Sequence, residues 1–292
     1  LIQPTPDGRW IVTSPGRLHR PKQTESTSKR CPFCEGHEAD TPPEAWSDRI
    51  AGPADSPGWK VRVVPNLFPI LQDANTRGET HAPILPGFGR HEVIIERPDH
   101  QPDWRGLADD HLTSIFIAYR ERLVAFERDH RIQSSILFKN CGQLAGASQF
   151  HVHAQVIGLP AVPPYLRKIF SLPTPTEEIL RFRSELLIHA DESLVAYTPP
   201  ASLFPLEVWI GPRQRENQFT NADDALLGRL AQIVARLLSS LGQMLDPLAF
   251  HFFIHSPPRR RRRGKMERWL LKITPRLESL GGLEWASNIF IN

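Results

Sequence analysis

The stretch from Asn140 to Ile157, Asn-Cys-Gly-Gln-Leu-Ala-Gly-Ala-Ser-Gln-Phe-His-Val-His-Ala-Gln-Val-Ile, constrains the chain more than any other. From His151 onward polar residues alternate with apolar or small ones, the period of a β-strand. His151, His153 and Gln155 therefore share one face, with Val152, Ala154 and Val156 on the other. Two imidazoles and an amide point at one ligand. Upstream, Gly142, Gly146 and Ser148 make a small-residue loop, in which backbone N–H groups can approach a phosphate without interference from Cβ and a hydroxyl adds a donor. A half-buried strand with hydrogen-bonded imidazoles explains the histidines alone, but not the loop and the glutamine beside them.

The rest of the chain reads as two copies of one unit. Glu92-Val-Ile-Ile and Glu207-Val-Trp-Ile are strand-like and 115 residues apart (207 − 92). Each precedes a helical stretch of 3.6-residue period, through Leu112, Ile115, Phe116, Tyr119, Leu123 and Phe126 in the first copy and Leu226, Leu227, Leu230, Ile233, Val234, Leu237, Leu238 and Leu241 in the second. Aspartates open both, Asp109-Asp110 and Asp223-Asp224. A β-rich run follows each, with Phe138 and Phe253 again 115 apart (253 − 138). Strand, helix, strand, strand with short connections predicts an α+β fold, antiparallel sheets with helices packed on them. The domains expected are 1–165 and 166–292, joined through the proline-rich Pro160–Glu178.

Composition narrows the function. With 40% hydrophobic and 23% charged residues the chain is an ordinary globular one. No run matches the roughly 20 apolar residues of a membrane span, and no secretory signal opens the sequence, so a cytoplasmic protein without membrane partners is expected. Three cysteines, two of them as Cys31-Pro-Phe-Cys34, suit metal binding in a reducing compartment better than a disulfide framework. The net charge of +3 comes largely from Arg259–Arg263, bounded by Pro257-Pro258 and Gly264. That pattern reads as a solvated loop, and nucleic acid is not an expected partner.

The pattern N-x-G-x-x-x-G-x-S-x-x-H-x-H-x-Q resembles the active-site signature of galactose-1-phosphate uridylyltransferases, a branch of the histidine-triad superfamily. The likeness extends to Asp7-Gly-Arg-Trp-Ile-Val12, Pro15-Gly-Arg17-Leu-His-Arg20-Pro21, Cys31-Pro-Phe-Cys34, Val64-Pro-Asn66 and Arg97-Pro-Asp-His100, and more loosely to Pro275-Arg276-Leu277 and Gly282-Leu283-Glu284. The resemblance implies two tandem histidine-triad-like units, the first catalytic and the second degenerate. It implies that Cys31, Cys34, His100 and His151 hold one structural zinc, four ligands with no open position. It makes His153 the nucleophile that takes a nucleoside monophosphate from a nucleotide sugar, in a ping-pong reaction completed by a phosphorylated acceptor. Gln155 and Ser148, with the backbone at Gly146 and Ala147, would donate to the transferred phosphoryl group. Glutamine, where superfamily hydrolases carry a third histidine, favours transfer over hydrolysis. Arg17 and Arg20 match phosphate contacts, while Asn66 and Asn140 match residues near base, ribose or phosphate. A homodimer is expected, with the second copy, including Glu284, helping to bind the sugar phosphate.

The 115-residue offset carries His151, His153 and Gln155 onto Met266, Arg268 and Leu270, so the second copy has no catalytic set. With Arg268-Trp-Leu-Leu-Lys272 where the family often keeps metal-binding histidines, and His255 alone nearby, one zinc per chain is expected. Leu67 stands where well-characterised uridylyltransferases tend to have aspartate, and Val152 where they have proline. The leading expectation is transfer of UMP from UDP-glucose to a hexose 1-phosphate. The alternatives are an adenylyl-transferring phosphorylase acting on ADP-glucose or a dinucleoside polyphosphate, and a non-catalytic nucleotide- or zinc-binding protein.

Overall fold

The central strands are buried on both faces, while the helices bury one stripe each. The computed structural model describes residues 2–5, 8–14, 17, 30–72, 87–216, 218–257 and 268–292. Arg20, Arg259–Arg263 and Met266 lie outside the described residues. β1 (Ile2–Pro4) and β2 (Trp10–Val12) form a small antiparallel pair. Among the described residues ten further strands make one sheet: β3 (Trp46–Arg49), β4 (Trp59–Pro65), β5 (Arg90–Ile95), β6 (Ser134–Cys141), β7 (His153–Leu159), β8 (Leu187–Ala190), β9 (Leu194–Tyr197), β10 (Val208–Pro212), β11 (Phe250–His255) and β12 (Leu270–Pro275). Their spatial order is β3-β4-β5-β7-β6-β11-β12-β10-β9-β8. Every pairing is antiparallel, and the order is a palindrome about the β6–β11 seam.

The seam contains the internal twofold. Phe138 and Phe253, 115 apart in sequence, face each other across it. From there the registers correct the mapping of the two copies. Phe138 pairs with Gln155 and Phe253 with Lys272, so Gln155 corresponds to Lys272, an offset of 117 (272 − 155). His153 then corresponds to Leu270 and His151 to Arg268, two residues beyond the positions expected from a constant 115. Likewise Gln155 pairs with Val93 and Lys272 with Trp209, an offset of 116 (209 − 93). Loops of unequal length between strands cause these slips. The second copy still lacks a histidine wherever the first carries its H-x-H pair.

α1 (Asp109–Arg128) and α4 (Asp224–Met244) cover one face. Both begin where expected; Asp223 caps α4, its carboxylate accepting from the Leu226 N–H at 2.7 Å. The stripes Leu112, Ile115, Phe116, Tyr119, Leu123, Phe126 and Leu227, Leu230, Ile233, Val234, Leu241 are buried in one core, which runs unbroken beneath both copies. Phe252 of the second copy meets Phe116 at 6.3 Å and Tyr119 at 5.9 Å between ring centroids. Each such pair adds about 0.5–1.5 kcal/mol beyond its area burial. Contrary to the expectation from sequence, α4 is long and apolar enough by length and composition to cross a membrane, but its apolar stripe is the one buried in this core. The segment between the copies is no open linker: it holds α2 (Pro164–Phe170) and the start of α3 (Thr176–Phe182), and Val162, Leu166 and Phe170 pack on Leu270. A short α5 (Gly282–Ser287) follows β12.

Glu92 points into the helix side, where Arg122 of α1 donates to both its oxygens at 2.8 and 3.0 Å with both groups buried. Removing one partner of such a pair strands a buried charge. Glu92→Ala should lower stability by about 3 kcal/mol in denaturant unfolding, with most of the loss recovered in the Glu92→Ala, Arg122→Met double variant.

Candidate active site and metal centre

β4, β5 and β7 lie side by side, and their face away from α1 carries the site. Ala154 and Val156 of β7 go down into the helix-covered core. His153 and Gln155 therefore stand on the opposite face, both more than nine-tenths buried.

At the N-terminal end of β7 four side chains converge. The ligand atoms of Cys31, Cys34, His100 and His151 lie within 4.8 Å of one another. His151 Nδ1 is 3.6 Å from each cysteine sulfur, and His100 Nδ1 is 3.6 Å from Cys34 Sγ. An ion about 2.3 Å from sulfur and about 2.0–2.1 Å from nitrogen, at the tetrahedral angle, sets sulfur and nitrogen about 3.6 Å apart. The donor set therefore fits a tetrahedral metal ion. His151 is prepared for it: its Nε2–H donates to the Arg97 carbonyl at 2.8 Å, so Nδ1 carries the lone pair that faces the sulfurs. Burial takes the His151 imidazole down to about 4, which keeps it neutral. Burial, with Cys31 adding to it, pushes the Cys34 thiol up to about 12, and burial also raises Cys31 against the opposing N–H groups of Phe33 and Cys34. Two thiols so placed resist ionisation until a cation lies between them.

The carbonyl that orients His151 is itself held hard. Arg97 binds Asp99 through two hydrogen bonds of 2.6 and 2.7 Å and donates to the carbonyls of Asp103 and Arg105. Before it, fully buried Glu96 accepts from Trp104 Nε1 at 2.6 Å and from Tyr119, and Lys139 forms a short ion pair with it. His151 passes the constraint on. Its own carbonyl accepts from His153 Nδ1 at 2.7 Å. A carbonyl can only accept, so the proton of the neutral His153 ring sits on Nδ1 and Nε2 carries the lone pair. Phe33, inside the Cys31–Cys34 turn, packs edge-on against both histidines, at 6.1 and 5.3 Å.

Beside His153 opens a cleft lined by Phe33, Thr41, Val64, Asn66, Leu67, Phe68, Val93, Gln149 and Gln155 among others. Its walls are mostly apolar with a few polar groups among them, the make-up of a small-molecule site. Asn66 bridges its wall, Oδ1 accepting from the Phe68 N–H at 2.9 Å and Nδ2 reaching Gln155 Oε1 at 3.4 Å. Arg17 reaches the same wall, donating to the Phe68 carbonyl at 2.7 Å, and burial lowers its pKa. Asn140, on β6, accepts from His251 at 3.1 Å across the copy seam.

The loop's backbone donors are arranged differently from expectation. Gly146 N–H bonds the Gln143 carbonyl at 2.8 Å and Ala147 N–H the Gly142 carbonyl at 3.2 Å, so these donors close the loop's own turns. Gln149, not singled out in the sequence, is the loop residue that lines the cleft. Glu284 sits in α5 of the second copy. Ser148 is buried in the loop. Sequence reasoning also missed His91, whose signal was a polar residue at the head of an apolar strand next to β7.

A fold and site of this kind define a nucleotidyl-transferring enzyme, and the comparisons with known proteins agree. The N-terminal domain of a family described as a domain of unknown function, DUF4931, matches residues 88–162. ADP-glucose phosphorylase of Arabidopsis thaliana is 30% identical, over 97% of this chain and 86% of the relative. A galactose-1-phosphate uridylyltransferase of Thermotoga maritima is 20% identical over 90% of this chain and 88% of its own. The crystal structure of the Arabidopsis ADP-glucose phosphorylase with bound ADP-glucose superposes with a TM-score of 0.77 at 29% identity, covering 100% of this chain and 94% of that one. The chain belongs to the galactose-1-phosphate uridylyltransferase-like family, which includes the ADP-glucose phosphorylases.

Metal content gives the first test. Purified protein should carry about one tightly held divalent ion per chain, and Cys31→Ser should lose it and unfold roughly 10 °C lower. Because protons compete for the ligand sulfurs and imidazoles, retention should weaken as pH falls. Emission spectrometry and thermal unfolding across pH check both.

Proposed function

We propose that the protein transfers AMP from ADP-glucose to inorganic phosphate through a covalent adenylyl-His153. The observation that carries this reading is the His153 tautomer, which turns an unprotonated Nε2 to the substrate side of the ring. In the first step Nε2 attacks the α-phosphorus, the N–P bond forms and the bond to the bridging oxygen breaks, so glucose 1-phosphate leaves. In the second, a phosphate oxygen attacks the same phosphorus, the N–P bond breaks and ADP departs. Splitting one displacement into two leaves the protein mainly to position groups and stabilise charge. Gln155 serves that end, donating its NH2 to the non-bridging oxygens. It carries no proton to shuttle, which favours an acceptor that brings its own nucleophile over water.

Adenylyl transfer is preferred to the uridylyl transfer first expected because the adenylyl relative is 30% identical against 20% for the uridylyl one. The cleft agrees with that preference: Leu67, 62% exposed, is its wall residue where characterised uridylyltransferases tend to have aspartate. Zinc is the ion we assign to Cys31, Cys34, His100 and His151, a closed N/S set that fixes the strand and takes no part in the chemistry. The same reading places catalysis in residues 1–165, keeps 166–292 as a degenerate partner in a homodimer, and puts the enzyme in the cytoplasm, where the cysteines stay reduced.

The test is direct. Incubated separately with ADP-glucose and UDP-glucose, the protein should gain the mass of one AMP on His153 from the first and nothing from the second. His153→Ala should keep its metal and lose turnover by about 10⁴-fold or more. Labelling by UDP-glucose alone would overturn adenylyl transfer; labelling by neither would overturn nucleotidyl transfer from these sugars.

A further inference from the structure

A glutamine side chain presents an oxygen at one fork and an NH2 at the other, with nearly the same shape. Facing a phosphoryl group, the first repels and the second stabilises. Something must choose between them for Gln155, and packing alone does not, since the two forks fill the same space.

We infer that His91 is the positioning residue that locks the Gln155 amide with its NH2 toward the cleft. His91 sits at the head of β5, two residues from Val93, the cross-strand partner of Gln155, and is 5% exposed. Both ring nitrogens have assigned roles. The Ile70 backbone N–H is directed at His91 Nδ1 at 3.2 Å, and a backbone N–H only donates, so Nδ1 holds the lone pair and Nε2 the proton. That Nε2–H donates to Gln155 Oε1 at 3.0 Å. Asn66 Nδ2 directs a second donor at that oxygen at 3.4 Å; with the proton on His91 Nε2, its 3.1 Å approach to that nitrogen is a contact between two donors and not a further hydrogen bond. With its oxygen engaged from the side of β5, Gln155 offers the cleft its NH2. The reverse orientation would set NH2 against the His91 N–H and Asn66 NH2, donor against donor in a buried site.

The arrangement forms a chain from backbone to substrate: Ile70 N–H fixes the His91 tautomer, His91 fixes the Gln155 amide, and Gln155 meets the phosphoryl oxygens. This role rests on the adenylyl-transfer reading. In the second copy the position of Gln155 holds Lys272, a side chain with no second orientation to choose; the position corresponding to His91, two residues before Trp209, holds Glu207, which has no proton to lend an amide oxygen.

The single-turnover rate of His153 adenylylation by ADP-glucose tests the inference, in the full chain with its metal. His91→Phe, which fills the space without a donor, should slow labelling about 10- to 100-fold while metal content stays unchanged. His91→Gln, whose amide nitrogen reaches where Nε2 lies, should recover most of that rate. In a Gln155→Ala background His91→Phe should add no further loss, because it acts only through Gln155. Should His91→Phe lose its metal, His91→Asn, smaller and too short to reach Gln155, carries the same comparison. A His91→Phe protein labelled at the wild-type rate overturns the inference, as does an equal loss in the Gln155→Ala background. A wild-type protein that ADP-glucose does not label overturns the adenylyl-transfer reading itself, a separate failure.

Discussion

The carbonyl of Arg97 takes the Nε2 proton of His151 at 2.8 Å, and the carbonyl of His151 takes the Nδ1 proton of His153 at 2.7 Å. Between them these two acceptors settle which nitrogen of each ring has a lone pair and where it points. One lone pair goes to the metal cluster and the other to the cleft, from residues two apart on one strand. Neither acceptor is soft. Arg97 is braced by Asp99 and two further carbonyls, and Glu96 before it is buried among Trp104, Tyr119 and Lys139. A ring mounted this way has little freedom to turn away from the cleft, and in the nucleophile we propose small misplacements are expensive in rate.

That mounting sets the candidate metal cluster beside the proposed nucleophile, not in its path. Four protein ligands saturate a tetrahedral ion, so no position is left for substrate. What the cluster does is tie residues 31–34 onto the end of β7, which brings Phe33 against both histidines and forms one wall of the cleft. In the second copy the counterpart of His151 is Arg268, fully buried, which donates to Glu177 at 2.6 Å and to the Arg213 carbonyl. An ion pair stands where the first copy has His151, and Leu270 stands where it has His153. The sheet and its helices persist because the shared core of Phe116, Tyr119, Phe252 and their neighbours depends on them, not on the site.

Much of this could be read from sequence for a physical reason. Period 3.6 through Leu112–Phe126 and Leu226–Leu241 follows from burial on one face, with Leu226, Leu237 and Leu238 only partly buried at the stripe's margin, whereas period two through His151–Gln155 sorts side chains between the helix-covered core and the site face, both of them buried. The convergence of Cys31, Cys34, His100 and His151 was legible because cysteine and histidine donors are few and chemically specific. What did not read through was everything set by register and by backbone polar groups. The slip from 115 to 117 arises in loops whose length carries no periodic signal. The carbonyls of Arg97 and His151 are present at every residue and so leave no mark on composition. Gly146 and Ala147 carried the right conformational freedom, yet their N–H groups close turns within the loop. His91 was hidden by the same logic, one polar residue whose role appears only when β5 and β7 are laid side by side.

The central claim concerns one proton on one ring, and nitrogen NMR of the protein with ¹⁵N-labelled histidine reads it directly. In the metal-loaded enzyme at neutral pH, His153 should show a protonated Nδ1 and an unprotonated Nε2, the pattern of a ring pinned to the His151 carbonyl. A His153 ring with its proton on Nε2, or one exchanging between the two forms, would contradict the account.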